Sequence, residues 1–389
     1  MNNQHNQHIG VLDGLRALAI LLVLLAHSIY FIQLYNVHRV IVFGSQHITW
    51  FLMNGWTGVN LFFVLSGFLI TRQLLEVFAV TGRSRHIRLF GYARKRLFRI
   101  IPAYYLIATA SLIFMLPGMG FVEWLWRFVC YLLFLQDYFQ QTVLPQFWSL
   151  AVEIQFYLLA PAMVYTLSRL RPGLRYLSFT LLMTVLLVVK VFVAWFSPPD
   201  DGQTMFFTTI LTPLHMSMDS LVAGMAACYL WHDPRLRIVI TTPFWSNALF
   251  GSGLCLFIAL TAFVTPHFLF YQRPPPFFDE TGYFSLIALA FGSMMLGLLG
   301  GSVASPLFAA RPLRFIAMIS YSLYLVHILL VPYAIQLAQK VVPDPHDLTL
   351  LWLVEFPIFM ALIVSPAAVM YYFIERPFNE WARKVRAES

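Results

Sequence analysis

Charge is what this sequence lacks. Only 11% of its 389 residues are Asp, Glu, Lys or Arg, against about 25% in ordinary soluble domains. A water-soluble globule of this length cannot cover its surface with so few charges. The polar tracts of a disordered chain are missing too, since 60% of the residues are hydrophobic and 17% aromatic. Cysteine is scarce: Cys130, Cys228 and Cys255 lie in apolar runs without C-x-x-C spacing. Neither a disulfide framework nor a thiolate metal site is implied. There is no Gly/Ser linker, no hydrophilic block of domain size and no fixed-period repeat, and the prolines at 274–276 read as a short outer loop. The polar start, residues 1–10, carries no Lys or Arg, and the apolar run after it has no convincing cleavage site, so it reads as a retained first span. His5 and His8 in that tail suggest no metal.

What is present in excess is long apolar segments. Windows of about 20 apolar residues fall at 11–32, 50–70, 97–117, 147–168, 176–197, 210–231, 243–264, 283–303, 313–338 and 350–374. A further stretch, 122–138, is short and carries Glu123 and Arg127. Basic residues decide whether it crosses. If it does not, 19 of the 25 Lys and Arg collect on one side, Arg39, Arg273 and Lys340 stay on the other, and Arg16, Arg127 and Lys190 fall within apolar segments. Positive residues favour the cytoplasmic side. The expected fold is therefore an all-α polytopic membrane protein with about ten transmembrane helices plus one re-entrant or interfacial helix. It forms a single integral-membrane domain over 1–389, multi-pass in the inner (plasma) membrane, with short cytoplasmic tails at 1–10 and 376–389. The net charge of +8 is then a matter of topology, not a sign of a nucleic-acid partner.

Ionisable groups inside a bilayer cost about 2.5–3.5 kcal/mol each on insertion scales and need a partner or a task. On the first span, Asp13 is one turn from Arg16 and can pair with it. Eleven residues return a helix to within about 20° of its starting face, so Arg16 and His27 share a face, roughly 16 Å apart along the axis. The bland reading is a structural ion pair and a satisfied histidine. Glu153, His215 (with Asp219 one turn deeper) and His327 are expected at the depth of His27, and four titratable groups at one level point towards function.

Several segments then resemble one known family. Val11-Leu12-Asp13-Gly14-Leu15-Arg16 with Ala26-His27-Ser28 resembles the opening span of the membrane-bound acyltransferase-3 family, including its R-x10-H spacing. Gly58–Ile70 resembles its G-V-x-L-F-F-V-L-S-G-F segment, and Arg96–Pro102 its R-x-x-R-I-x-P. Phe147-Trp148-Ser149-Leu150, with Glu153, Phe156, Tyr157 and Pro161, is similar to F-W-S-L-x-x-E-x-x-F-Y-x-x-x-P. Ser320–His327 resembles S-Y-x-x-Y-L-x-H, and Glu375-Arg376-Pro377 resembles E-x-P. These six matches run in order from residue 11 to 377. Many members carry an appended SGNH-type domain that this sequence does not show, so the acceptor is expected to be recognised by the membrane domain or by a separate protein.

The resemblance implies an acetyl-CoA-dependent O-acyltransferase acting on a hydroxyl of a cell-envelope, exported or lipid-linked glycan, within the lipid bilayer and without a metal. Coenzyme phosphates need a water-exposed cationic anchor, for which Arg16, Arg96 and Arg99, with Asp13 beside Arg16, are the candidates. A pantetheine arm of roughly 15–20 Å matches the Arg16–His27 separation. His27 is the candidate general base, because imidazole titrates near working pH; it could also carry the acyl group transiently. Glu153 would orient its ring as the third member of a triad does, or brace a neighbouring helix. Trp148 would stack on a sugar or sit in the interfacial belt. Ser149, Tyr324, His327, His215 and Asp219 form a second tier around the pocket. The rival from another class is a transporter or flippase for a lipid-linked or glycan substrate; a structural or sensor protein comes third.

Overall fold

The computed structural model describes residues 2–35, 46–115, 118–139, 144–196, 206–264, 277–342, 344 and 347–384, with the side chains of the first nine residues outside the described part. Asp201, Arg39, Arg273 and the prolines at 274–276 lie outside the described residues, as do the side chains of His5 and His8. Helices account for the architecture, and no strand occurs among the described residues. The main ones are α1 (Asn2–Tyr35), α2 (Gln46–Met53), α3 (Gly58–Phe78), α4 (Arg83–Met115), α5 (Phe121–Leu132), α6 (Gln136–Phe139) and α7 (Trp148–Arg169). Then follow α8 (Pro172–Phe196), α9 (Leu214–His232), α10 (Pro243–Phe263), α11 (Gly282–Leu299), α12 (Arg311–Val341), α13 (Leu348–Met370) and α14 (Arg376–Lys384).

Nine helical segments among the described residues are long and apolar enough to cross a membrane. The tenth expected crossing, 210–231, corresponds to α9, which is 19 residues long but falls outside that set. Its polarity has a physical reason. Helices α3, α8 and α11 pack around α9, so its buried Ser217, Asp219 and Ser220 meet protein and not lipid. The crossing of α9 over α3 is close because glycines face each other: a Cβ added at Gly67 would lie 2.1 Å from the Leu221 carbonyl oxygen, and one at Gly224 would lie 2.0 Å from that of Val64. Small residues at such a crossing let the backbones touch.

The awkward 122–138 stretch is not one long helix. α5 has 12 residues, about 18 Å at 1.5 Å per residue, too short for a hydrocarbon core of about 30 Å. Phe134 then turns the chain with φ +54°, a left-handed conformation uncommon outside glycine. Phe121 and Val122 are exposed, while Glu123 and Arg127 pair at 2.8 Å one turn apart. That combination suits an interfacial helix.

Both expected tails are partly helical. α1 begins at Asn2, so the polar decapeptide continues the first span. α14 covers 376–384 and packs on α4, where Arg94 Nε donates to the Ala382 carbonyl at 3.1 Å and the Phe98 and Trp381 rings lie 4.8 Å apart.

Candidate active site

α1, α3, α4, α7 and α12 enclose a cavity of about 680 Å³, open solvent included. Arg16 enters it from α1, Arg96 and Arg99 from α4, Glu153 and Ser149 from α7, and Tyr324 from α12. Residues three apart share a helical face, which is how R-x-x-R on α4 presents both guanidinium groups to one space. Arg16 Nη1 pairs with Asp13 Oδ1 at 3.1 Å. Arg96 is buried, lies 5.6 Å from the Tyr157 ring and 6.0 Å from that of Tyr92, and keeps its Nε without a partner. Three cations thus face one carboxylate, a wall that favours an anionic ligand.

Glu153 is held from two sides. Its Oε1 accepts from Ser66 Oγ at 2.7 Å and from the hydroxyl of Tyr157. The contact with His27 expected from the sequence does not form: among the described residues His27 hydrogen-bonds only to Val23, and its ring neighbour is His327. The reason is depth: Glu153 lines the cavity with Arg16, which stands eleven residues, about 16 Å along α1, from His27.

The two histidines form a unit. His27 Nδ1 donates to the Val23 carbonyl at 2.9 Å and His327 Nδ1 to that of Tyr324 at 2.7 Å. A carbonyl can only accept, so a neutral ring at either position presents Nε2 as an open acceptor. The rings meet edge to face with centroids 5.0 Å apart, and the fully buried His327 has no partner at Nε2. Tyr324 links this pair to the cavity. Its ring lies 5.6 Å from that of His327, and its hydroxyl lies 2.6 Å from Ser149 Oγ and donates to the Gln146 carbonyl at 2.9 Å.

The remaining second-tier residues go elsewhere. His215 is exposed and stacks on Tyr138, whose hydroxyl lies 3.2 Å from its Nδ1. Asp219 is sealed with Lys190 in a 2.7 Å ion pair and accepts from Ser285. Trp148 is buried against Phe63 with ring centroids 5.9 Å apart and does not line this cavity. The expectation of four titratable groups at one site thus reduces to His27 and His327, with Glu153 on the cavity side.

Sequence reasoning missed several partners. Tyr157 stands four residues after Glu153, so i,i+4 geometry could have paired them. Glu355, buried in α13 and accepting from Ser28 beside His27, gave no local signal. Glu375 of the E-x-P segment accepts from Ser322 and so ties the turn between α13 and α14 to α12. No group of three or more His, Cys, Asp or Glu able to hold a metal ion occurs among the described residues.

Residues 9–372 match the family model described as an acyltransferase domain, that of the acyltransferase-3 family. The chain is 26% identical to the peptidoglycan O-acetyltransferase OatA of Listeria monocytogenes over 399 residues, covering 96% of this chain and 56% of that protein. It is 23% identical to the putative peptidoglycan O-acetyltransferase YrhL of Bacillus subtilis, covering 98% and 57%, and 25% identical to the O-acetyltransferase OatA of Staphylococcus aureus, covering 95% and 57%. The chain thus spans little more than half the length of these curated relatives. No solved structure matches it. With the family model matched over nearly its whole length, and with the motif residues Arg16, Arg96, Arg99, Glu153, Ser149 and Tyr324 gathered on one cavity, the chain belongs to the acyltransferase-3 family.

Proposed function

We propose that this protein O-acetylates a cell-envelope glycan, taking the acetyl group from acetyl-CoA. The observation that carries the reading is the arginine-walled cavity joined through Tyr324 to the His27–His327 pair. Arg16, Arg96 and Arg99 would hold the coenzyme phosphates by charge-assisted contacts, with the pantetheine arm directed along α1 towards His27. The acceptor hydroxyl would lose its proton to His27 Nε2 as its oxygen attacks the thioester carbonyl. The C–S bond breaks, the ester forms, and the leaving thiolate takes the proton back from the imidazolium. The hydrogen bond from Nδ1 to the Val23 carbonyl fixes the tautomer and supports the transient positive ring, the part an orienting group plays in a triad. Glu153 lies on the donor side, where its charge would offset the arginines until an anionic donor binds.

The same reading makes the protein one multi-pass domain of the inner membrane with both termini cytoplasmic, so that the donor cavity opens towards cytosolic coenzyme. The shortness of α5 and the distribution of basic residues support it. The direct test is transfer of radiolabelled acetyl from acetyl-CoA to isolated envelope glycan by the purified protein. Absence of transfer by folded protein, with the label staying on the coenzyme, would reject the donor. For orientation, cysteines placed at 88 and 171 should resist a membrane-impermeant label applied from outside, while one at 201, in the expected outer loop, should react; labelling at 171 would overturn this topology and restore 122–138 as a crossing.

A further inference from the structure

A second cavity, of about 560 Å³ with open solvent included, lies between the far ends of α3, α4 and α7. It shares no lining residue with the first. Arg85 stands eleven residues before Arg96 on α4, on nearly the same helical face and about 16 Å away along the axis. Its wall carries two cations, Arg85 and Arg169, the hydroxyl of Ser168 and the ring of Tyr165; its floor is Leu75, Phe78 and Ala79.

Both cations are under-used. The Arg85 and Arg169 guanidinium carbons lie 6.0 Å and 5.0 Å from the centroid of Tyr165. Arg85 Nε donates to the Val80 carbonyl at 3.0 Å, and Arg169 Nη2 to the Tyr165 hydroxyl at 3.1 Å. A guanidinium has five N–H donors, so about four on each remain for something else. Among the described residues neither is paired with a carboxylate; Glu76, the acid next to this stretch of α3, is engaged by Arg72 at 3.8 Å. Arg175, in the same basic loop, shows the alternative. It donates to the carbonyls of Leu167 and Leu170 and stacks over Tyr229, which closes the end of α7 and uses the side chain for structure.

Two unneutralised forks on one cavity wall, with no acid on that wall, describe a receptor for an anion with several acceptor oxygens. Arginine favours phosphate for its bidentate geometry, and the apolar floor suits a phosphate attached to an apolar or aromatic body. We infer that this cavity binds a phosphate group, presented either by an anionic phospholipid headgroup or by a free phosphorylated small molecule. The site stands apart from the acyl-transfer reading, because it needs neither His27 nor the first cavity.

The test uses the full chain in detergent and two probes, dioctanoyl phosphatidate and adenosine 3′,5′-bisphosphate, with dioctanoylglycerol as the uncharged control. The double variant Arg85→Gln/Arg169→Gln should lose roughly ten- to a hundredfold in affinity for at least one probe. Arg85→Lys/Arg169→Lys should fall between the two, and wild-type binding should weaken as salt screens the charges. Loss confined to phosphatidate assigns the site to the membrane headgroup; loss confined to the bisphosphate assigns it to a soluble phosphate. Should the double glutamine variant not fold, Arg85→Gln alone reads the same loss at smaller size. Wild-type binding of neither probe above the control, or unchanged affinity in the glutamine variants, overturns the assignment and leaves the acyl-transfer proposal, tested at His27, where it stood.

Discussion

At Lys190 and Asp219 the chain closes two opposite charges on each other, 2.7 Å apart and almost fully buried, with Ser285 donating to the carboxylate and Phe284 5.0 Å from the ammonium. Around the first cavity it does the reverse: Arg16, Arg96 and Arg99 face an open space with Glu153 among them. Both arrangements place charge where a bilayer penalises it. In the first, each group is compensated by the other, and neither lines the arginine-walled cavity. In the second, positive charge exceeds negative, and the balance is left for a ligand. A buried charge closed by the protein marks structure; one facing a cavity marks a place where another molecule completes the arrangement.

The sharpest way to separate the two regions is to break one group in each. His27→Ala should lower transfer by about 10²–10⁴-fold, the usual loss when a positioned base is removed, with the thermal midpoint in detergent nearly unchanged. Near wild-type transfer by His27→Ala would end the proposed chemistry. Lys190→Met should do the opposite. Removing one partner of a buried pair costs about 3–5 kcal/mol because the other is left uncompensated, so the thermal midpoint should drop steeply. Lys190→Met/Asp219→Leu should recover much of that stability and still transfer acetyl. If the double variant folds but is inactive, the pair belongs to the machinery and the contrast fails.

Much of the candidate site was legible from register. R-x10-H puts Arg16 and His27 on one face, R-x-x-R aims two guanidinium groups together, and Ser149 and Glu153 are four residues apart on α7; such facts are local to one helix. What register cannot give is the partner across a helix boundary. Depth along the chain selects His215 and Asp219, but α9 is enclosed by α3, α8 and α11, which turns Asp219 to Lys190 and leaves His215 beside Tyr138. The same enclosure explains why hydropathy undervalues α9 as a crossing. Glu355 had no motif at all, because its meaning lies in Ser28, 327 positions away in sequence.

A smaller effect sharpens the open side of the comparison. Arg16→Ala or Arg99→Ala should weaken donor binding by about 1.5–3 kcal/mol, the scale of a hydrogen bond to a charged group, read by equilibrium binding of coenzyme A. Unchanged affinity in folded protein would place the donor elsewhere. Glu153→Gln keeps an acceptor for Ser66 and Tyr157 but removes the charge facing the arginines, so it should tighten coenzyme binding. Weaker binding would mean instead that Glu153 holds the arginines in place.

Asp137 tests the rule where it is hardest to apply, in a group that has no ion-pair partner among the described residues and does not line the arginine-walled cavity. It sits in the short α6, outside the spanning helices, fully buried, with Gln155 Nε2 donating to Oδ1 at 2.9 Å and nothing reaching Oδ2. Burial pushes its carboxyl up to about 6, while the hydrogen bonds from Gln155 and the backbone pull the other way. In the unfolded chain an aspartate titrates near 3.9. Between about pH 4 and pH 6 the folded state therefore binds more protons than the unfolded state. Stability from this group is complete below about pH 4 and is lost as pH rises through 6. Asp137→Asn, which keeps an acceptor for Gln155 without a charge, should remove about 1–3 kcal/mol of that loss between about pH 4 and pH 7, read as the thermal midpoint of both proteins across that range. Glu280, also outside the spans and pushed up to about 7 by burial, titrates in both proteins, so the comparison between them isolates Asp137. Parallel curves would mean that Asp137 is ionised when folded and has found, in the membrane, a counter-charge of its own.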